Sequence, residues 1–149
     1  MYSYDEFKEG CSVIIENTKY KILGLAYYVT QTDTENIYAK ILLNDHYVLV
    51  VALSDNIAYF GRNFGEIKEF SSFSESIEYG NKRFEQVNSD YQILKNLVFG
   101  SPLEVEGEVM FWDYESGNNI ISIAIVSRTR ERADVVARYV DIKDIEIIE

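Results

Sequence analysis

Residue types that usually announce chemistry are scarce in this chain, which has one cysteine, one histidine and one proline among 149 residues. The lone Cys11 excludes an internal disulfide, so a reducing, cytoplasmic compartment is expected. With a single histidine, any Ser-His or Cys-His catalytic pair must use His46, and most zinc sites are excluded. No Asp-x-Asp-x-Asp-Gly calcium loop is present, and Gly61-Arg62-Asn63-Phe64-Gly65 has neither the spacing nor the lysine of a phosphate-binding loop. No metal, nucleotide or other cofactor is therefore expected.

Positive charge is also in short supply, with 14 Lys and Arg against 25 Asp and Glu and a formal net charge of -11. Such a surface repels nucleic acid and anionic lipid, while basic proteins and cations remain possible partners. Long apolar runs are missing as well. Tyr47 to Leu53 falls far short of the roughly 20 residues a membrane-spanning helix needs, so no membrane span is expected. Met1 to Gly10 lacks the basic start and apolar stretch of a signal peptide.

What is abundant is strand grammar. Apolar residues make up 47% of the chain and aromatics 14%, led by 12 Tyr and 8 Phe, which suits a packed β domain. Ser3-Tyr4-Asp5-Glu6 matches a capping box and predicts one or two helical turns over Tyr4 to Glu9. Two hairpins follow: Ser12 to Glu16 with Lys19 to Thr30 around Asn17-Thr18, then Ile37 to Leu43 with His46 to Leu53 around Asn44-Asp45. Strands of the second hairpin are apolar at odd and even positions alike, which predicts burial on both faces.

Gly61 to Lys82 loses all period and reads as a long surface connection between halves at about 1–60 and 83–149 that share one core. Asp90 to Phe99 fits a helix capped by Ser89 or a strand. Three further strands are expected after the break at Gly100-Ser101-Pro102. The expected fold is mainly β: an antiparallel sandwich or partly open barrel of about 8–10 strands with one or two short helices, as one domain over residues 1–149.

Particular stretches carry a resemblance. VEGEVMFW from Val105, the turn at Gly117, ARYVDIKDIEI near the end and GCSVIIENTKYKILGL from Gly10, with Gly107 and Tyr139 the more distinctive positions, are similar to the bacterial domain-of-unknown-function family numbered 4178. The tryptophan-containing strand expected in the first half is not evident. The resemblance implies a β-rich bacterial domain and no known reaction, so it transfers no functional residue.

Candidate chemistry is thin. Cys11 reads as a small packed residue, His46 as a turn-flanking side chain, and Asp33 and Glu35 as loop carboxylates. Glu104, Glu106 and Glu108 share one strand face at about 6.7 Å spacing, which suits a solvated face better than an acid-base pair. Arg128, Arg130 and Arg132 repeat with the same period. A three-residue loop at Gly117-Asn118-Asn119 would set Ser116 opposite Ile120 and place the three arginines against the three glutamates. Beyond the charges, Met110, Trp112 and Tyr114 form an apolar patch that is expected either to be covered by another segment or to serve as a partner surface; if it is exposed, Trp112 beside Arg128 is the expected contact point for a protein partner. The expected function is a non-catalytic interaction or accessory domain; the alternatives are an acidic immunity-type protein neutralising a basic toxin and, third, a carboxylate-dependent hydrolase.

Overall fold

The computed structural model describes residues 3–70, 74–100 and 109–149. Ser3 caps a 3-10 turn over Tyr4–Glu6 with the full capping box in place, as its sequence predicts. The strands that follow are β1 (Ser12–Ile15), β2 (Thr18–Thr30), β3 (Asp33–Leu43), β4 (Tyr47–Ala52), β5 (Ile57–Asn63), β6 (Ser76–Tyr79), β7 (Lys82–Phe99), β8 (Val109–Ser116), β9 (Asn119–Val126), β10 (Val135–Val140) and β11 (Glu146–Ile148).

Every pairing is antiparallel, and eight strands close on themselves in the order β2-β3-β4-β5-β10-β9-β8-β7, with β7 returning to β2. The mainly β expectation holds, and the architecture is a closed barrel. Each half of the chain supplies four consecutive wall strands, β2–β5 and β7–β10, and the two sets meet at β5–β10 and β2–β7. Asp90 to Phe99, ambiguous in sequence, is strand throughout.

Closure explains the doubly apolar hairpin. On β3, Tyr38, Lys40 and Leu42 face the barrel interior, while Ala39, Ile41 and Leu43 face outward into a cluster with Phe7, Val13, Leu49, Phe60 and Ile142. That outer cluster is covered by the N-terminal turn, β1 and the C-terminal segment. The Tyr4 hydroxyl pins the turn by accepting the Leu53 amide at 2.9 Å. On the opposite wall, Tyr114, Ile121 and Ile123 pack outward against Ile67, Phe70 and Ile77. Residues 64–70 therefore form a strap with a buried underside; the expected plain surface connection is corrected here.

Three turns differ from expectation. Glu16 and Asn17, both at positive φ, form the first hairpin loop, so Ile15 pairs with Thr18 and the loop lies one residue earlier than Asn17-Thr18. Asn44, Asp45 and His46 form a three-residue 3-10 connection, with Leu42 opposite Val48 and His46 inside the turn. The third turn is Gly117-Asn118, with Gly117 at φ 57, and it sets Ser116 opposite Asn119. A two-residue loop shifts every later pair by one, so Trp112 faces Ile123.

The arginine side of the expected charge ladder is not a continuous strand, which corrects that expectation. β9 ends at Val126, Arg130 occupies a positive-φ turn position, and Arg132 bridges back to Ile125. Glu104, Glu106 and Glu108, with Ser101 and Pro102, lie outside the described residues.

Candidate functional site

An eight-stranded barrel is just wide enough for its inward side chains to fill it, or to hold one small ligand. Which outcome applies depends on the size and polarity of the inward positions. Here they include small residues, Gly61, Ser122, Ala124 and Ala137, beside four tyrosines and two charges. Two adjoining cavities of about 470 and 280 Å³ result, sharing Lys40, Val50, Tyr59, Ser122 and Ala124 in their walls. The larger reaches the barrel end carrying Asp45, His46, Arg62 and Asn63; the smaller reaches the end carrying Asp55, Val87 and Asn88. This size and lining are those of a small-molecule site, largely apolar with a few placed polar groups.

Cross-strand pairing fixes those groups. Lys40 on β3 lies opposite Val50, which lies opposite Tyr59, which lies opposite Tyr139 on β10. Asp113 on β8 lies opposite Ser122 on β9 and, on its other side, Asn88 on β7. The Tyr38 hydroxyl donates to Gln92 Oε1 at 2.6 Å. Its ring stacks on Tyr28 at 5.9 Å, and Lys40 Nζ stands 5.2 Å from the centre of the Tyr28 ring. Tyr59 and Tyr139 meet edge to face at 6.4 Å.

Asp113 is the electrostatic centre of this arrangement. Removal from bulk water pushes its carboxyl up to about 6, against the lowering effect of a hydrogen bond with Ser122 and the charge of Lys40. Its Oδ1 is buried and has no hydrogen-bond partner. Tyr139 is pushed up first by burial and then by its hydrogen bond with Glu115. Among the described residues no cluster of His, Cys, Asp and Glu is arranged to hold a metal ion.

The residues singled out from sequence lie elsewhere. Met110, Trp112 and Tyr114 face outward on β8; Tyr114 is fully buried beneath residues 64–70 and 74–79, and Trp112 is half-buried against the same cluster. The open apolar patch is thus reduced to the parts of Met110 and Trp112 that stay exposed. Arg128 is exposed just beyond the end of β9. Cys11 is buried in the outer core, and His46 is exposed at the cavity mouth. Asp33 and Glu35 lie on the exposed start of β3, within the strand rather than a loop. Lys40, Asp113, Tyr38, Tyr59 and Tyr139 had one legible signal: a lone charge at the strand positions of Ala39-Lys40-Ile41 and Trp112-Asp113-Tyr114.

No family model matches this chain, and no curated protein or solved structure matches it.

Proposed function

We propose that this protein binds a small organic molecule inside its barrel. The observation that carries the reading is the Asp113 carboxylate, whose residue lines a cavity while its Oδ1 is buried without a hydrogen-bond donor. A buried acceptor left unsatisfied costs about 1–3 kcal/mol or more, and a folded protein keeps such a group most economically where a ligand supplies the missing donor. The surrounding tyrosines provide aromatic walls, and the small residues leave the room. Binding is proposed as the activity itself, since the polar groups mark one position for a ligand.

The test is an amide NMR screen with small aromatic fragments. Shifts are expected on β3, β5, β8 and β10, and they should disappear in Val50→Phe, which narrows both cavities. Shifts confined to the outer wall, or unchanged in a folded Val50→Phe protein, would overturn the reading.

A second reading keeps a protein partner on the outer wall, because Met110 and Trp112 retain partial exposure beside the fully buried Tyr114. Trp112→Ala would then weaken association with that partner while fragment shifts in the barrel stay unchanged.

A further inference from the structure

We propose that the ligand is a small organic amine, its ammonium seated on Oδ1 of Asp113 and its apolar body lying among Tyr38, Tyr59, Tyr139 and Phe111. This inference rests on the reading that the barrel holds a small molecule and names the ligand's chemistry.

The choice follows from what the smaller cavity offers. A carboxylate oxygen accepts hydrogen bonds and donates none once ionised, so the missing partner must be a donor. Among donors, a cation gains most, because charge-assisted hydrogen bonds are about twice as strong as neutral ones and the site excludes bulk water. Ring faces complete the preference, since cations are drawn to the negative faces of aromatic rings. Tyr38, Tyr59, Tyr139 and Phe111 all line this cavity.

Charge across the cavity points the same way. Asp113 and, at the rim, Asp55 are acidic, and Glu115 follows Asp113 on the same inward face of β8. Lys40 is the one cation lining this cavity among the described residues, and its ammonium is drawn to the Tyr28 ring on the β2 wall. Lys40 lowers the Asp113 carboxyl through space, yet burial prevails. An arriving ammonium adds the favourable charge that Lys40 does not fully supply. The overall charge of -11 also raises the local concentration of cations relative to anions.

Binding is coupled to protonation. The groups facing Asp113 are Lys40 from β3, Tyr59 from β5, Tyr139 from β10, Ser122 from β9, Asn88 from β7 and Glu115 from its own strand. Of these, Asp113 is the group displaced to about 6, so the amine should bind best above that pH and weaken below it.

The experiment uses three probes of matched size: benzylamine, benzyl alcohol and benzoate, each titrated into the full chain by amide NMR at about pH 7.5 and about pH 5, where benzylamine stays protonated. Benzylamine is expected to bind at least about tenfold tighter than either analogue at the higher pH and to lose most of that advantage at the lower one. Asp113→Asn should erase the preference, and its thermal melt at the higher pH will show that the variant folds. If benzyl alcohol or benzoate binds the barrel as well as benzylamine, or if Asp113→Asn binds benzylamine as tightly, the amine assignment is overturned while the barrel stands as a small-molecule site. If no probe shifts a barrel residue and the broader fragment screen also fails, both readings fall.

Discussion

Arg132 grips Asp134 through two nitrogens, Nε to Oδ1 at 3.0 Å and Nη2 to Oδ2 at 2.6 Å, and Asp134 also accepts the Ile67 amide at 2.8 Å. Asp134 is fully buried and the Arg132 side chain nearly so. The Arg132 guanidinium also reaches the Phe70 carbonyl, so this ion pair ties the segment leading into β10 to the strap of residues 64–70. Removing one partner of such a pair strands the other charge in the interior, which costs about 3–5 kcal/mol. Asp134→Ala should therefore lower stability by that order in urea unfolding. A loss below about 1 kcal/mol would mean that the pair does not hold the strap.

Asp113 makes stability depend on pH in the direction opposite to an ordinary salt-bridged carboxylate. Its folded pKa lies above the unfolded value, so the fold binds the proton more tightly than the open chain does. Stability from this group is therefore greatest at low pH and is lost as pH rises from 3.8 through about 6, a change on the order of 3 kcal/mol. Asp113→Asn should melt higher than wild type at about pH 7.5, with that advantage falling to about a third at about pH 4.5. Equal melting temperatures at the higher pH would show that Lys40, Ser122 and their surroundings already compensate the charge.

Gly61 sits opposite Ala137 where β5 meets β10, one of the two joins between the halves of the barrel. A Cβ there would overlap the Val136 carbonyl oxygen and the Ala137 Cα, both backbone atoms that cannot swing aside. Gly61→Ala is expected to cost about 1–3 kcal/mol and to speed amide exchange along β10 more than along β3. Uniform acceleration across all strands would argue against a local opening at this join.

Much of this fold was legible in the sequence, and the misreadings share a cause. Strand content follows from the period-2 apolar pattern, and the buried hairpin of β3 and β4 from apolar residues at both parities. Turn positions slipped because Asn and Asp tolerate positive φ at several neighbouring sites. Asn17 takes the second loop position rather than the first, and Gly117 closes a two-residue loop where three fitted equally well. Closure depends on β5–β10 and β2–β7, whose partners lie far apart in the chain and leave no local signature. Strand β7 was ambiguous because Val87, Leu97 and Val98 are exposed, which breaks its alternation. The cavity was invisible because its polar groups come singly from separate strands.

Glu16 receives both nitrogens of Arg138, at 2.8 and 2.6 Å, and this bond holds its carboxyl below the usual range. Both side chains are well exposed, so the pair is screened and Glu16→Gln should change stability by less than about 1 kcal/mol. The effect should shrink further in high salt. A larger loss in chemical denaturation would mean that this contact anchors the β1–β2 loop against β10.

Closure also governs how these molecules meet one another. A β-sheet usually ends in two strands whose backbone groups invite templated growth. Among the described residues the outermost strands here are β6 and β11, of four and three residues. The long apolar segments Tyr47–Ala52 and Asn119–Val126, which as free peptides would be good seeds for fibrils, have both hydrogen-bonding edges occupied inside one molecule. Recruiting them into an aggregate requires breaking the ring first, so the hazard stays latent for as long as the barrel remains shut.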